Sequence, residues 1–221
     1  MQNGLGSAAR ELTMSQRQRT YAGQSAEARA LARRDRLIEA AVKIYGAQGY
    51  RNATVKAVCE AAGLTERYFY ESFDNSEALL IAAFDHVAHV VLRCLDAIRA
   101  EHDGAPIEAA RALLRAYFKI LKDDPDGARL FVVEIARVGP AVDAVLATWM
   151  EEFGELLART LAPRRQAASR RGVLKRAGAA GAVVQIARAW IRGGFAQGVY
   201  AVAEDALTLC RVLEEPARSG E

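Results

Sequence analysis

The stretch TVKAVCEAAGLTERYFYESF, residues 54–73, constrains this chain more than any other. Two short helical patterns flank Ala62-Gly63-Leu64, and the second opens at Thr65. Glycine enters positive φ without steric cost, so Gly63 marks a tight turn between them. Helices this short are unstable alone. Val55, Val58 and Cys59 on one, and Leu64, Phe69 and Phe73 on the other, must share a core with a neighbour. The spacing from Ala30 to Gln48 supplies it: Leu37, Ala40, Ala41, Ile44 and Tyr45 form an apolar stripe at helical period, ending at Gly49. Arg33, Arg34, Arg36 and Lys43 take the other faces of that helix. The layout is a helix-turn-helix, whose second helix enters the DNA major groove while the first braces the backbone.

Capping residues extend the pattern. Thr54 and Thr65 are expected to cap the second and third helices through their hydroxyls. Asp74-Asn75-Ser76-Glu77 has the form of a capping box and launches a long helix carrying Leu79, Leu80, Ala83, Phe84, Val87, Val91 and Leu95. Further helical patterns follow over 106–122, 128–138, 141–161, 173–194 and 203–215, with Asp123 to Gly127 read as a turn. Strand-type clusters of Val, Ile, Thr and aromatics are nearly absent. The expected fold is all-α, with about nine helices read from hydrophobic period. The expected organisation is a mobile tail over 1–28, a DNA-binding domain over 29–74, a larger helical domain over 75–215 and a tail over 216–221.

Charge agrees with that division. Residues 1–73 hold eleven Lys and Arg against seven Asp and Glu, and residues 74–221 hold nineteen against twenty. A basic front on a near-neutral body suits phosphate contact at one end. Arg10, Arg17 and Arg19 fit either a basic arm along a groove or a solvated tail. The run containing Arg164, Arg165, Arg170, Arg171, Lys175 and Arg176 fits a second DNA contact or a solvated loop. Cys59, Cys94 and Cys210 lie far apart with no CxxC pair, so neither a disulfide framework nor a zinc site is expected. His86 and His89 could share a metal but lack further ligands at fixed spacing. No Gly-rich phosphate loop, GxSxG or HExxH is present, which argues against an enzyme and leaves no cofactor implied. No run of 18 apolar residues suggests a membrane span, no N-terminal apolar core suggests secretion, and the cytoplasm is the expected location.

The stretch from Arg36 to Leu80 resembles the DNA-binding domain of TetR-family transcriptional regulators. The resemblance runs through Ile38-Glu39-Ala40-Ala41, Gly49-Tyr50, Thr54-Val55, Ala61-Ala62-Gly63-Leu64-Thr65, Phe69-Tyr70, Phe73 and Glu77-Ala78-Leu79-Leu80. It implies an all-helical homodimer that reads a palindromic operator. Its three-helix DNA-binding head would precede a larger ligand-binding and dimerisation domain. It also implies a repressor relieved by a small effector. Many members carry Lys where Ser76 stands, so one phosphate contact of the family is in question here. A regulator or architectural DNA protein without an effector is one alternative, and a helical small-molecule-binding protein or enzyme is another.

Site expectations follow residue by residue. Thr54 and the free N–H groups at its helix start face a phosphate, with Lys56 on the same exposed end. Tyr70 matches a family position whose hydroxyl bonds a phosphate, against the alternative of core packing. Thr65, Arg67 and Tyr68 open the recognition helix. Arg67 is the foremost base reader, since a guanidinium can bond both guanine major-groove acceptors. Glu66 and Glu71 repel phosphate, and each either accepts from a cytosine amine or faces solvent. Effector contacts in the resembling family lie among helices four to seven and can draw on the eighth. Candidates are Phe84, His89, Tyr117, Phe131, Glu134, Arg137, Trp149, Phe153 and Trp190, which predict an apolar or amphipathic ligand, though aromatics at this spacing equally suit plain core. The last two long helices, with Ala177, Gly178, Ala180 and Gly181, are the expected dimer interface.

Overall fold

The computed structural model describes residues 5–102, 105–136, 138–162 and 170–211, with side chains described from 25 onward except at 170 and 171. Nine α-helices and no strand occur among the described residues. Helix α1 (Leu5–Gln48) leads through a 3-10 turn (Tyr50–Asn52) into α2 (Val55–Ala62) and α3 (Glu66–Ser72). The larger part comprises α4 (Ser76–Glu101), α5 (Pro106–Asp123), α6 (Pro125–Arg129), a π-helical segment (Leu130–Glu134), α7 (Pro140–Leu161), α8 (Arg170–Arg192) and α9 (Val199–Cys210).

Boundaries follow cap chemistry. Thr54 accepts from the Ala57 N–H at 3.1 Å, as expected. Thr65 occupies the cap position of α3 but makes no side-chain cap bond. Asn75, rather than Asp74, caps α4 through Oδ1 on the Ala78 N–H at 2.8 Å. Asp124 caps α6 by accepting from the Gly127 N–H at 3.0 Å, and Pro125 then fits the first helical turn. The Asp123 to Gly127 stretch is therefore partly helix, not only turn. The expected helix over 128–138 is instead a π segment closed by the Ile135 N–H to the Leu130 carbonyl at 3.2 Å. The last helix begins earlier than expected, at Val199.

Helix α1 starts at Leu5, where the sequence pattern suggested a tail. Its N-terminal half is rich in Ala, Arg and Gln and holds no Pro, so intrinsic propensity supports helix without any stripe. From residue 25 to 36 only Arg33 is even half-buried, and packing begins at Leu37. The C-terminal tail over 216–221 lies outside the described residues.

One core runs through both parts. Leu37, Ala41, Tyr45, Val58 and Phe69 fill the small domain and continue through Leu79 and Leu80 into the body. Helix α5 is central, packed on α4, α6, α7 and α9. Helix α1 meets α6 backbone to backbone: a side chain at Gly46 would collide with the Asp126 carbonyl. Helix α4 is apolar and long enough, by length and composition alone, to cross a membrane, with a mean hydropathy of 1.7 in its most apolar window. Here Leu79, Leu80, Ala83, Phe84, Val91 and Leu95 bury that apolar side in the protein core.

Candidate nucleic-acid interface

The turn that aims α3 is built from backbone and three α1 cations. Gly63 sits at φ 62°, ψ 39°, and its N–H and that of Leu64 bond the Glu60 and Cys59 carbonyls at 3.0 and 2.9 Å. This left-handed C-cap closes α2. Arg36 donates to the Ala62 carbonyl at 2.6 Å, taking one of the carbonyls a helix end leaves bare. Arg33 lies 4.5 Å over the Tyr68 ring and Arg34 lies 4.9 Å over Phe73. From sequence, these three arginines are expected only on faces of α1 other than its apolar stripe. Nothing in their spacing distinguishes an arginine facing solvent from one clasping a neighbouring helix.

Phe69 is fully buried and anchors α3, edge-on to Tyr70 at 5.1 Å between ring centroids. Anchoring by that ring leaves Thr65, Glu66, Arg67, Tyr70 and Glu71 exposed, while Tyr68 is half-buried beneath Arg33. Tyr68 is therefore the least available of the expected base readers. Tyr70 is 63% exposed and its hydroxyl has no hydrogen-bond partner among the described residues. The Arg67 side chain is 83% exposed, and its Nε donates to Glu71 Oε1 at 2.9 Å. That pair is solvated and weak enough to exchange for a stronger acceptor. Lys56 stands 3.9 Å from Glu60 and is equally open. Thr54 accepts a bond with its oxygen, so its hydroxyl proton stays free to donate.

The expected effector residues divide into four places. Phe84, Phe131, Trp149, Phe153 and Tyr117 come together as one buried aromatic column. Phe84 stacks on Phe131 at 5.3 Å, Phe131 meets Trp149 edge-on at 4.7 Å, and Trp149 stacks on Phe153 at 5.0 Å. Phe153 in turn stacks on Tyr117 at 5.2 Å. Within this column the Tyr117 hydroxyl and the Trp149 Nε1 are buried with no hydrogen-bond partner. Burial pushes the Tyr117 phenol well above its ordinary range. Trp190 belongs elsewhere, edge-on to Phe118 and Phe195, with Nε1 donating to the Gln197 carbonyl at 2.9 Å.

His89 lines a cavity of about 260 Å³ between α4 and α7, together with Asp85, Thr148, Glu152 and Trp149. Leu92, Thr148 and Glu152 also line a wider groove of about 750 Å³ along the same two helices. Loss of solvation raises the Asp85 carboxyl above the usual carboxylate range, His89 opposes the shift, and Glu152 adds to it. Glu134 is not in the column at all: its Oε2 accepts from the Tyr50 N–H at 3.0 Å, at the junction between the two domains. Arg137 lies outside the described residues. No group of three or more His, Cys, Asp or Glu suited to a metal occurs among the described residues.

Residues 37–83 match the family model described as bacterial regulatory proteins, tetR family. The HTH-type transcriptional regulator RutR of Escherichia coli (strain K12) is 27% identical over 109 residues, 49% of this chain and 50% of that protein. The HTH-type transcriptional regulator TcmR of Streptomyces glaucescens is 28% identical over 136 residues, 59% of each. The chain thus spans about half the length of the first of these relatives. Among solved structures, the transcriptional regulator FadR of Bacillus subtilis, in complex with stearoyl-CoA, superposes with a TM-score of 0.69. It shares 18% identity and covers 79% of this chain and 96% of that one. At that identity the likeness concerns the fold.

Proposed function

From the match of residues 37–83 to the tetR family model, we propose that this chain is a regulator of that family, a DNA-binding repressor released from its operator by a small effector. The observation that carries the reading is the outward face of α3. Phe69 and the Gly63 turn hold the helix while Thr65, Arg67 and Tyr70 stay exposed, as do Thr54 and Lys56 at the α2 start. Phosphates would be met by Thr54, Lys56 and Tyr70, which position, and bases by Thr65, Arg67 and Glu66, which specify. Arg67 exchanges its Glu71 partner for a guanine edge. The work is done in the cytoplasm, where the DNA is.

Two such heads make a reader of a palindromic site. The partner is a second copy, docked through α8 and α9. Exposed Leu174 and Gly178, half-buried Gly181 and exposed Leu209 support that face, since small residues allow helices to approach closely. The effector is apolar or amphipathic. It enters by the α4–α7 groove, displaces Trp149 and gives the buried Tyr117 hydroxyl and Trp149 N–H the partners they lack. Stearoyl-CoA, bound by the Bacillus subtilis neighbour, exemplifies such a ligand. Effector binding stabilises a second arrangement of the body with weaker affinity for the operator.

Selection of duplexes from a random pool tests the first part: a palindromic consensus is expected, and recovery of unrelated sequences would defeat it. Light scattering at micromolar concentration should return a dimer. A melting-temperature screen with acyl and aromatic compounds tests the effector. The filled column equally suits a DNA-binding protein without an effector, and a screen with no shift at all would favour that reading.

A further inference from the structure

We propose a second ligand site, for a small polyanion of phosphate or carboxylate type, in the cleft where the DNA-binding domain meets the body. The cleft holds about 480 Å³ and is lined by Arg51 and Asn52 after α1, Arg129 on α6, Glu134 on the π segment and Arg192 at the end of α8. A neighbouring void of about 370 Å³ shares Arg192 and Val133 with it and adds Arg188. Glu134 is the one carboxylate among these lining residues, and its Oε2 already accepts from the Tyr50 N–H at 3.0 Å. Arg129 and Arg192 make no hydrogen bond or ion pair among the described residues, whereas Arg111 and Arg115 of the body share Glu204. Two unengaged guanidinium groups facing one concavity, with further arginines at its rim, suit an acceptor-rich anion that accepts forked hydrogen bonds from both.

Such a ligand would tie Arg129 and Arg192 across the mouth of the cleft beside Arg51. Arg129 rides on α6, which meets α1 at Gly46, so occupancy bears on how the DNA-binding domain is held. The site is separate from the α4–α7 groove and does not depend on the regulator reading.

Calorimetric titration of the full chain at low ionic strength, with inorganic pyrophosphate in one arm and citrate in the other, tests the proposal. Saturable binding of at least one is expected, and the tighter arm identifies the ligand chemistry. Arg129→Gln and Arg192→Gln should each weaken it by about tenfold, the scale of a charge-assisted bond. Glu134→Gln removes the opposing charge and should tighten it by about two- to fivefold. Arg159→Gln, in the distant groove, should leave it unchanged, and thermal melts establish that each variant is folded. No saturable binding in either arm overturns the proposal, as does binding indifferent to Arg129 and Arg192. If the two variants instead lower the salt dependence of DNA binding while wild type takes no polyanion, these arginines serve the duplex and the site falls. Absence of DNA binding would defeat the regulator reading and leave this titration unaffected.

Discussion

The small N-terminal domain and the helical body use aromatic residues in opposite ways. In the domain, Phe69 and Phe73 are buried so that their neighbours Arg67 and Tyr70 stay outside. In the body, Phe84, Phe131, Trp149, Phe153 and Tyr117 are all inside, and the polar atoms they bring in remain unpartnered. A reader of DNA edges must be exposed before its ligand arrives, because the duplex cannot enter a core. A receptor for an apolar molecule can be closed beforehand, because the ligand replaces the contacts it breaks. The lesson is that burial separates scaffold from exposed face in the first region, and that in the second the proposed site and the scaffold are the same residues.

The contrast can be broken most sharply by equal deletions in the two regions. Phe69→Ala and Phe153→Ala each remove a fully buried ring and should each cost about 3–5 kcal/mol in urea unfolding. Only Phe69→Ala should abolish DNA binding at a temperature where far-UV dichroism shows most helix retained. Equal loss from Phe153→Ala would mean the two regions fold as one unit. Next in size, Arg67→Ala should lose about 1–3 kcal/mol of operator affinity and relax preference at one base pair. An unchanged consensus from random-pool selection would remove Arg67 from the readers.

Glu71→Gln should act in the opposite direction. It frees Arg67 and removes a carboxylate from the duplex face, tightening operator binding by about 0.3–1 kcal/mol in an anisotropy titration. Weaker binding would indicate that the pair orients Arg67 productively. Smallest is Tyr117→Phe. Its hydroxyl is buried and unpartnered, so deletion should be neutral or stabilise by up to about 1 kcal/mol in thermal melts. A clear loss of stability would mean that the hydroxyl has a partner, most simply a bound water or ligand.

The small domain was legible because its signals are local. A left-handed glycine, a hydroxyl cap and apolar residues at helical period act within a few positions, so Gly63, Thr54 and the Phe69 anchor could be named from sequence. The same logic missed the Arg36 bond to Ala62 and the Arg33 guanidinium over Tyr68, because those contacts span a turn and two helices. In the body, helical period found the aromatic residues but not their grouping. Trp190 joined Phe118 and Phe195, and Glu134 faced Tyr50, because crossing angles between helices decide neighbours and one sequence does not encode them locally.

Sequence by itself determined the helical nature of the chain, the helix-turn-helix and the exposure of Thr65, Arg67 and Tyr70 but not the cover over Tyr68, since period, capping and glycine conformation are properties of short segments. Tertiary structure alone decided that α1 and α6 touch at Gly46, that Leu130–Glu134 winds as a π segment, and that Glu134 and the arginine cleft lie between the domains. Those features arise where elements distant along the chain compete for the same volume, and only the packed whole resolves that competition.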